Sequence, residues 1–89
     1  MTNYEWDEAK RHANILKHGL DFHDAKIVYE NPRKKTFSVV KKNEPRLQDI
    51  ALVEYHGVIL SLVYVIRNDV IRVISFRRAS RAERRKYGV

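Results

Sequence analysis

The residues best equipped for chemistry stand close together at one end of the chain, in the run ISFRRASRAERRKYGV from Ile74 to Val89. A guanidinium is a planar fork of donors that stays charged at any working pH and grips a phosphate through two hydrogen bonds at once. Fixed beside a scissile phosphate, the same fork stabilises the extra negative charge of a pentacoordinate transition state. Arg67, at the end of an apolar run just before Asn68 and Asp69, and Arg77, where an extended run meets the closing polar segment, are the arginines most rigidly placed for that work. Arg72, Arg78, Arg81, Arg84 and Arg85, with Lys17 from the N-terminal half, supply further grip on a nucleic-acid backbone.

Other candidate groups are fewer. Glu83 is the only acid after Arg72, and cations on every side keep it ionised, which makes it a poor proton acceptor at neutral pH. Its spacing from Ser80 also fits a capping box at a helix start. Of the four histidines, His12, His23 and His56 share no motif and read as structural or solvated. His18 stands in the last turn before Gly19, either as a favourable helix-end cation or as a contact to RNA. Tyr87 either packs its ring on the sheet edge or stacks a base. No HExxH or comparable ligand spacing occurs, and the chain has no cysteine, so neither a metal nor a thiol chemistry is expected.

The charge is lopsided. Eighteen Lys and Arg face eleven Asp and Glu, a formal net charge of +7. Seven of the cations and only one of the acids lie from Arg72 onward. Such a gradient points to a polyanionic partner rather than to general solubility. At 89 residues the chain is expected to form one domain, residues 1–89, around one modest core. The absence of a long apolar run or signal-peptide layout leads to an expected soluble, cytoplasmic protein.

The elements that must position these groups follow from the pattern. Asp7 suits the cap of a helix reaching about His18, with Gly19 as its left-handed stop. Ala9, Ala13, Leu16 and Leu20 form its apolar stripe, which puts Lys10, Arg11, Asn14, Lys17 and His18 outward. A second helix is expected from the Asp21 cap to just before Pro32, burying Phe22, Ala25, Val28 and Tyr29. TFSVVKK, QDIALVEY, VILSLVYVIR and VIRVISFRRA then read as four strands, with two-residue hairpins at His56–Gly57 and Asn68–Asp69. The predicted fold is therefore α+β: two N-terminal helices on a four-stranded antiparallel meander, closed by a short helix over SRAERRKY. Alternation in that register sends Ala51, Val53, Tyr55, Val58, Leu60, Leu62, Tyr64, Ile66, Ile71 and Val73 to the helix-covered face. The other face holds Leu52, Ile59, Val63, Val65, Ile74 and Phe76 together with Glu54, Arg67, Arg72 and Arg78, a plausible platform for RNA.

WDEAKRHANILKHGLDFHDA near the start and RVISFRRASRAERRKYGV at the end closely resemble the BrnT family of bacterial type II toxins, over essentially the whole chain. The resemblance rests on Trp6, Asp7 and Lys10, on KHGLDF, and on Arg72, Ile74, Ser75, Arg77, Ala79, Glu83 and Tyr87. It implies a RelE-like ribonuclease fold, cofactor-free RNA cleavage that suppresses translation, and neutralisation by a BrnA-like ribbon-helix-helix antitoxin that binds operator DNA. It also implies that Arg67, Arg77 and Glu83 are the active-site positions. Phe76 departs from the small or varied residues usual at its place, and the general acid and base stay unassigned. The reading from residues alone leaves a non-catalytic nucleic-acid-binding module, or a docking surface for an acidic partner, as the alternative.

Overall fold

A computed structural model describes residues 2–53 and 57–88. The elements run β1 (Asn3–Glu5), α1 (Glu8–His18), a 3-10 turn (Phe22–Asp24), α2 (Lys26–Tyr29), β2 (Lys35–Lys41), β3 (Glu44–Val53), β4 (Val58–Arg67), β5 (Val70–Arg78) and α3 (Arg81–Tyr87). The sheet order is β1-β5-β4-β3-β2. β2 to β5 form the expected antiparallel meander, but the sheet has a fifth strand that the sequence reading lacked, because β1 pairs parallel with β5. Only three residues long, β1 carries too little alternation to register as a strand.

The helix ends follow their local chemistry. Asp7 caps α1, its Oδ1 accepting from Ala9 and Lys10 N–H at 2.8 and 3.2 Å, and Gly19 closes it at φ 71°. Ser80 and Glu83 form the full capping box of α3. The second N-terminal helix is shorter and more broken than expected: Asp21 caps the 3-10 turn, and a single α-helical turn follows. It still buries Phe22, Ala25 and Val28.

The orientation of α1 departs from the sequence expectation: Lys10 and Lys17 are exposed and Leu20 packs against the core as expected, but the rest of the stripe does not. Leu16 is 89% exposed, and Ala9 and Ala13 are exposed too, whereas Asn14 is buried. The reason lies on the edge of β5. β1 pairs with β5 only as far as Arg72, so the backbone beyond has no neighbouring strand there. Asn14 takes that place: its Nδ2 donates to the Phe76 carbonyl at 2.7 Å and the Leu20 carbonyl at 2.9 Å, and its Oδ1 accepts from Phe76 N–H at 3.2 Å. Satisfying buried backbone groups outweighs burying one leucine.

Two register features redistribute the faces. Val53 pairs with Val58, not Tyr55 with Val58 as two-residue turn geometry demanded. A shift of two leaves every side chain on its expected face. His56, Tyr55 and Glu54 lie outside the described residues. More consequential is an irregularity in the β4–β5 ladder, where Tyr64 pairs with Val73 but Val63 pairs with Ser75. Ile74 is the extra residue of a bulge, and beyond it the alternation inverts. Phe76 therefore turns into the core, fully buried opposite Leu62, and Arg78 follows it to the Leu60 side, so neither stands on the open face as expected. Arg77 moves the other way, onto the face of Ser61 and Val63.

Candidate active site

The face opposite the N-terminal helices carries the site. On β3 it presents Arg46, Gln48 and Ile50, on β4 Ser61, Val63, Val65 and Arg67, and on β5 Arg72 and, past the bulge, Ser75 and Arg77. α3 crosses one end, pinned by Tyr87, whose hydroxyl donates to the Arg33 carbonyl at 3.1 Å and whose carbonyl accepts from Lys35 Nζ at 2.7 Å. Lys86 Nζ adds a contact 4.1 Å above the Phe37 ring. Tyr87 thus ties the end of α3 to the edge at Arg33 and Lys35.

Beside α3 opens a groove of about 480 Å³, floored by Val39, Val63 and Ile74 and rimmed by Lys41, Arg46, Gln48, Ser75, Arg77 and Glu83. Arg77 and Glu83 meet there in a two-pronged pair, Nη1 to Oε1 at 2.7 Å and Nη2 to Oε2 at 2.9 Å. Gln48 Nε2 donates to Glu83 Oε2 at 2.7 Å and to Ser61 Oγ at 2.9 Å, and Ser80 N–H donates to Glu83 Oε1 at 2.8 Å. The Arg77 guanidinium, then the capping N–H and the Gln48 amide, hold Glu83 at a pKa of about 2 despite its burial. A carboxylate so acidic is a poor proton acceptor at neutral pH.

The pairing leaves Arg77 usable. A third bond, from Nη1 to the Arg78 carbonyl at 3.1 Å, means that three of its five N–H donors are committed. The remaining Nε–H and second Nη2–H lie side by side on one edge of the guanidinium, the geometry that receives two phosphate oxygens.

The other expected residues are dispersed. Arg67 shares the face but pairs with Val70 at the far end of β4, six residues from Ser61 and so about 20 Å from the Arg77 row. It is exposed, with Glu44 3.8 Å away. Arg72 is tied to Glu5 at 2.6 Å. Lys17 and His18 line a neighbouring cleft with Lys10, Ala13, Asn14 and Ile74. Ile74 lines both clefts, so they adjoin at the bulge. Desolvation first, then Lys17 and Arg77, push the His18 imidazole below its ordinary pKa. Arg78 and Arg84 flank a separate cleft with Leu52 and Ile59, and Arg81 and Arg85 are exposed on α3.

Sequence reasoning missed Gln48, Ser61, Asn14 and Arg46. Gln48 and Ser61 are buried polar side chains on that face, Gln48 bonding to Glu83 of α3 and to Ser61, a link visible only once α3 is placed. A second polar cluster was also missed: fully buried Asp49 accepts from Lys34 Nζ at 2.7 Å, Thr36 Oγ1 at 2.6 Å and Tyr64 OH at 3.0 Å, which ties β2, β3 and β4 together on the helix side. Among the described residues no group of three or more His, Asp or Glu side chains is arranged to hold a metal ion.

No curated protein matches the chain. A family model does: residues 6–83, which include α1, the whole meander, Arg77 and Glu83, match the one described as "Ribonuclease toxin, BrnT, of type II toxin-antitoxin system", and the chain belongs to that family.

Proposed function

We propose that this ribonuclease toxin cleaves single-stranded RNA by using the substrate's own 2′-hydroxyl, without a metal ion, and thereby inhibits translation. The observation that carries the reading is the Arg77–Glu83 pair, which leaves one donor edge of Arg77 uncommitted and lines a cationic groove with an apolar floor. The apolar floor suits a base and the rim suits its phosphates. In the reaction the 2′-oxygen bonds to phosphorus, the bond from phosphorus to the 5′-oxygen breaks, and a 2′,3′-cyclic phosphate and a 5′-hydroxyl result. Arg77 holds the non-bridging oxygens and stabilises their added charge, and Glu83 positions Arg77. His18, in the adjoining cleft that shares Ile74, is the group suited to take the 2′-hydroxyl proton, and the leaving 5′-oxygen takes its proton from water. The Arg67 end of the face, about 20 Å away, binds flanking RNA rather than the reacting phosphate.

A type II toxin has an antitoxin partner. A BrnA-like ribbon-helix-helix antitoxin that covers the groove neutralises it, and operator DNA is met only through that antitoxin. The test is incubation of a defined single-stranded RNA in EDTA with the wild type and with Arg77→Ala. Cutting by the wild type, with cyclic-phosphate ends seen by mass spectrometry and lost in the variant, is the expected result. Equal cutting by both, or cutting only when magnesium is added, overturns the mechanism. RNA binding without any cutting favours the non-catalytic module.

A further inference from the structure

Two of the open-face arginines are already closely paired. Arg77 is paired with Glu83 and Arg72 with Glu5, each at hydrogen-bond distance. Arg46 is different. Its side chain is only 18% exposed, on the groove rim between Lys41 and Gln48, and its Nε is buried with no hydrogen-bond partner among the described residues. Its nearest carboxylate, Glu44 Oε2, is 3.6 Å from Nη2, too far for a hydrogen bond. The same carboxylate stands 3.8 Å from Arg67 through its other oxygen, so it serves both cations loosely. A half-buried cation with an orphaned Nε–H and only a loose carboxylate neighbour is a costly arrangement that a native fold rarely leaves without a use.

Arg46 stands on β3 opposite Val39, and Ile50, two rows along the same strand, pairs with Ser61, the partner of Arg77. Two rows and two strands put Arg46 and Arg77 about 16 Å apart at their backbones, at opposite ends of one groove that both side chains line.

We propose that Arg46 is a substrate-binding residue, which receives an RNA phosphate next along the strand from the one at Arg77, and that Glu44 competes with that phosphate for it. This rests on the groove being the RNA site. As Glu44 swings to solvent, the Arg46 side chain turns outward and phosphate oxygens satisfy the orphaned Nε–H and the adjacent Nη together.

The experiment measures binding of a 2′-O-methyl RNA, whose attacking hydroxyl is blocked, by fluorescence anisotropy across a salt series. Arg46→Gln is expected to weaken binding several-fold at low salt and to reduce the slope of log affinity against log salt by about 0.7, the share of one single-strand phosphate. Glu44→Gln is expected to tighten binding at low salt, whereas Asp24→Asn, the same charge change on the opposite helical layer, leaves it unaltered. A wild-type slope and affinity in Arg46→Gln overturns the proposal. If circular dichroism shows that variant unfolded, Glu44→Gln decides: affinity no tighter than that of Asp24→Asn overturns it. Cutting of the all-ribose RNA by the wild type is scored separately. No cutting with a reduced Arg46→Gln slope removes the nuclease and keeps Arg46 as a phosphate ligand; normal cutting with an unchanged slope does the reverse.

Discussion

Replacing Glu83 by Gln tests the physical centre of the site, since Gln keeps the shape of the carboxyl but presents an amide to donors from both Arg77 and Gln48. The wild-type carboxyl falls from an ordinary pKa of 4.5 to about 2 in the fold. A folded pKa below the unfolded one means that ionisation stabilises the protein above the unfolded value and that this stability is lost as pH falls through the folded value. The side chain is only 15% exposed, so the shift converts with little screening to about 3 kcal/mol at pH 6. The same linkage leaves about 1 kcal/mol at pH 3 and almost nothing below pH 2. Urea unfolding of both proteins from pH 6 to pH 2 reads the difference directly. Other carboxylates titrate in both chains and cancel. The expected outcome is a gap of about 3 kcal/mol at pH 6 that closes with acid, with unchanged m-values. A gap that is constant across the range, or one below about 1 kcal/mol at pH 6, refutes the account of Glu83 as a charge-paired orienter.

Asn14→Ala strips both backbone groups of Phe76 of their partner and is expected to cost about 2 to 4 kcal/mol, seen as a fall in Tm of at least about 8 °C; a fall of a degree or two refutes the role of Asn14 as a substitute strand edge. Asp49→Ala leaves Lys34, Thr36 and Tyr64 without their shared acceptor and is expected to cost about 3 kcal/mol or more by denaturant unfolding. In NMR titration the His18 ring should protonate below the ordinary imidazole range, and Arg77→Ala should move it upward, because one of the charges that depress it is gone. An unmoved His18 places Arg77 too far from α1 for the two clefts to adjoin. The cleavage rate should correspondingly fall with acid only once pH drops below the His18 value, and His18→Ala should remove that limb of the profile.

Much of this architecture is written in local chemistry. The α1 cap at Asp7, its Gly19 stop, the Asn68–Asp69 turn and the Ser80–Glu83 box each depend on residues within a few positions of one another, so their letters suffice. Arg46 was hidden for a local reason too. Pro45 reads as a strand breaker, so the sequence starts the strand at Gln48, yet β3 begins at Glu44 after a Lys42–Asn43 turn with positive φ at both residues. Pro45 is tolerated there because β3 is paired with β4 only from Leu47 onward, and no ladder bond is asked of its missing N–H.

By itself the sequence determined that arginines and one acid would gather where the last strand meets the last helix, and that the chain resembles a ribonuclease toxin. Which arginine faces the groove was decided by tertiary structure. A bulge of a single residue at Ile74 inverts the alternation that follows, sending Phe76 inward and Arg77 outward, and the Phe76 backbone beyond it is satisfied by an asparagine 62 positions away in sequence. Strand alternation has a period of two, so one unpaired residue changes every face beyond it, and the partner of the Phe76 backbone exists only after α1 has packed against β5.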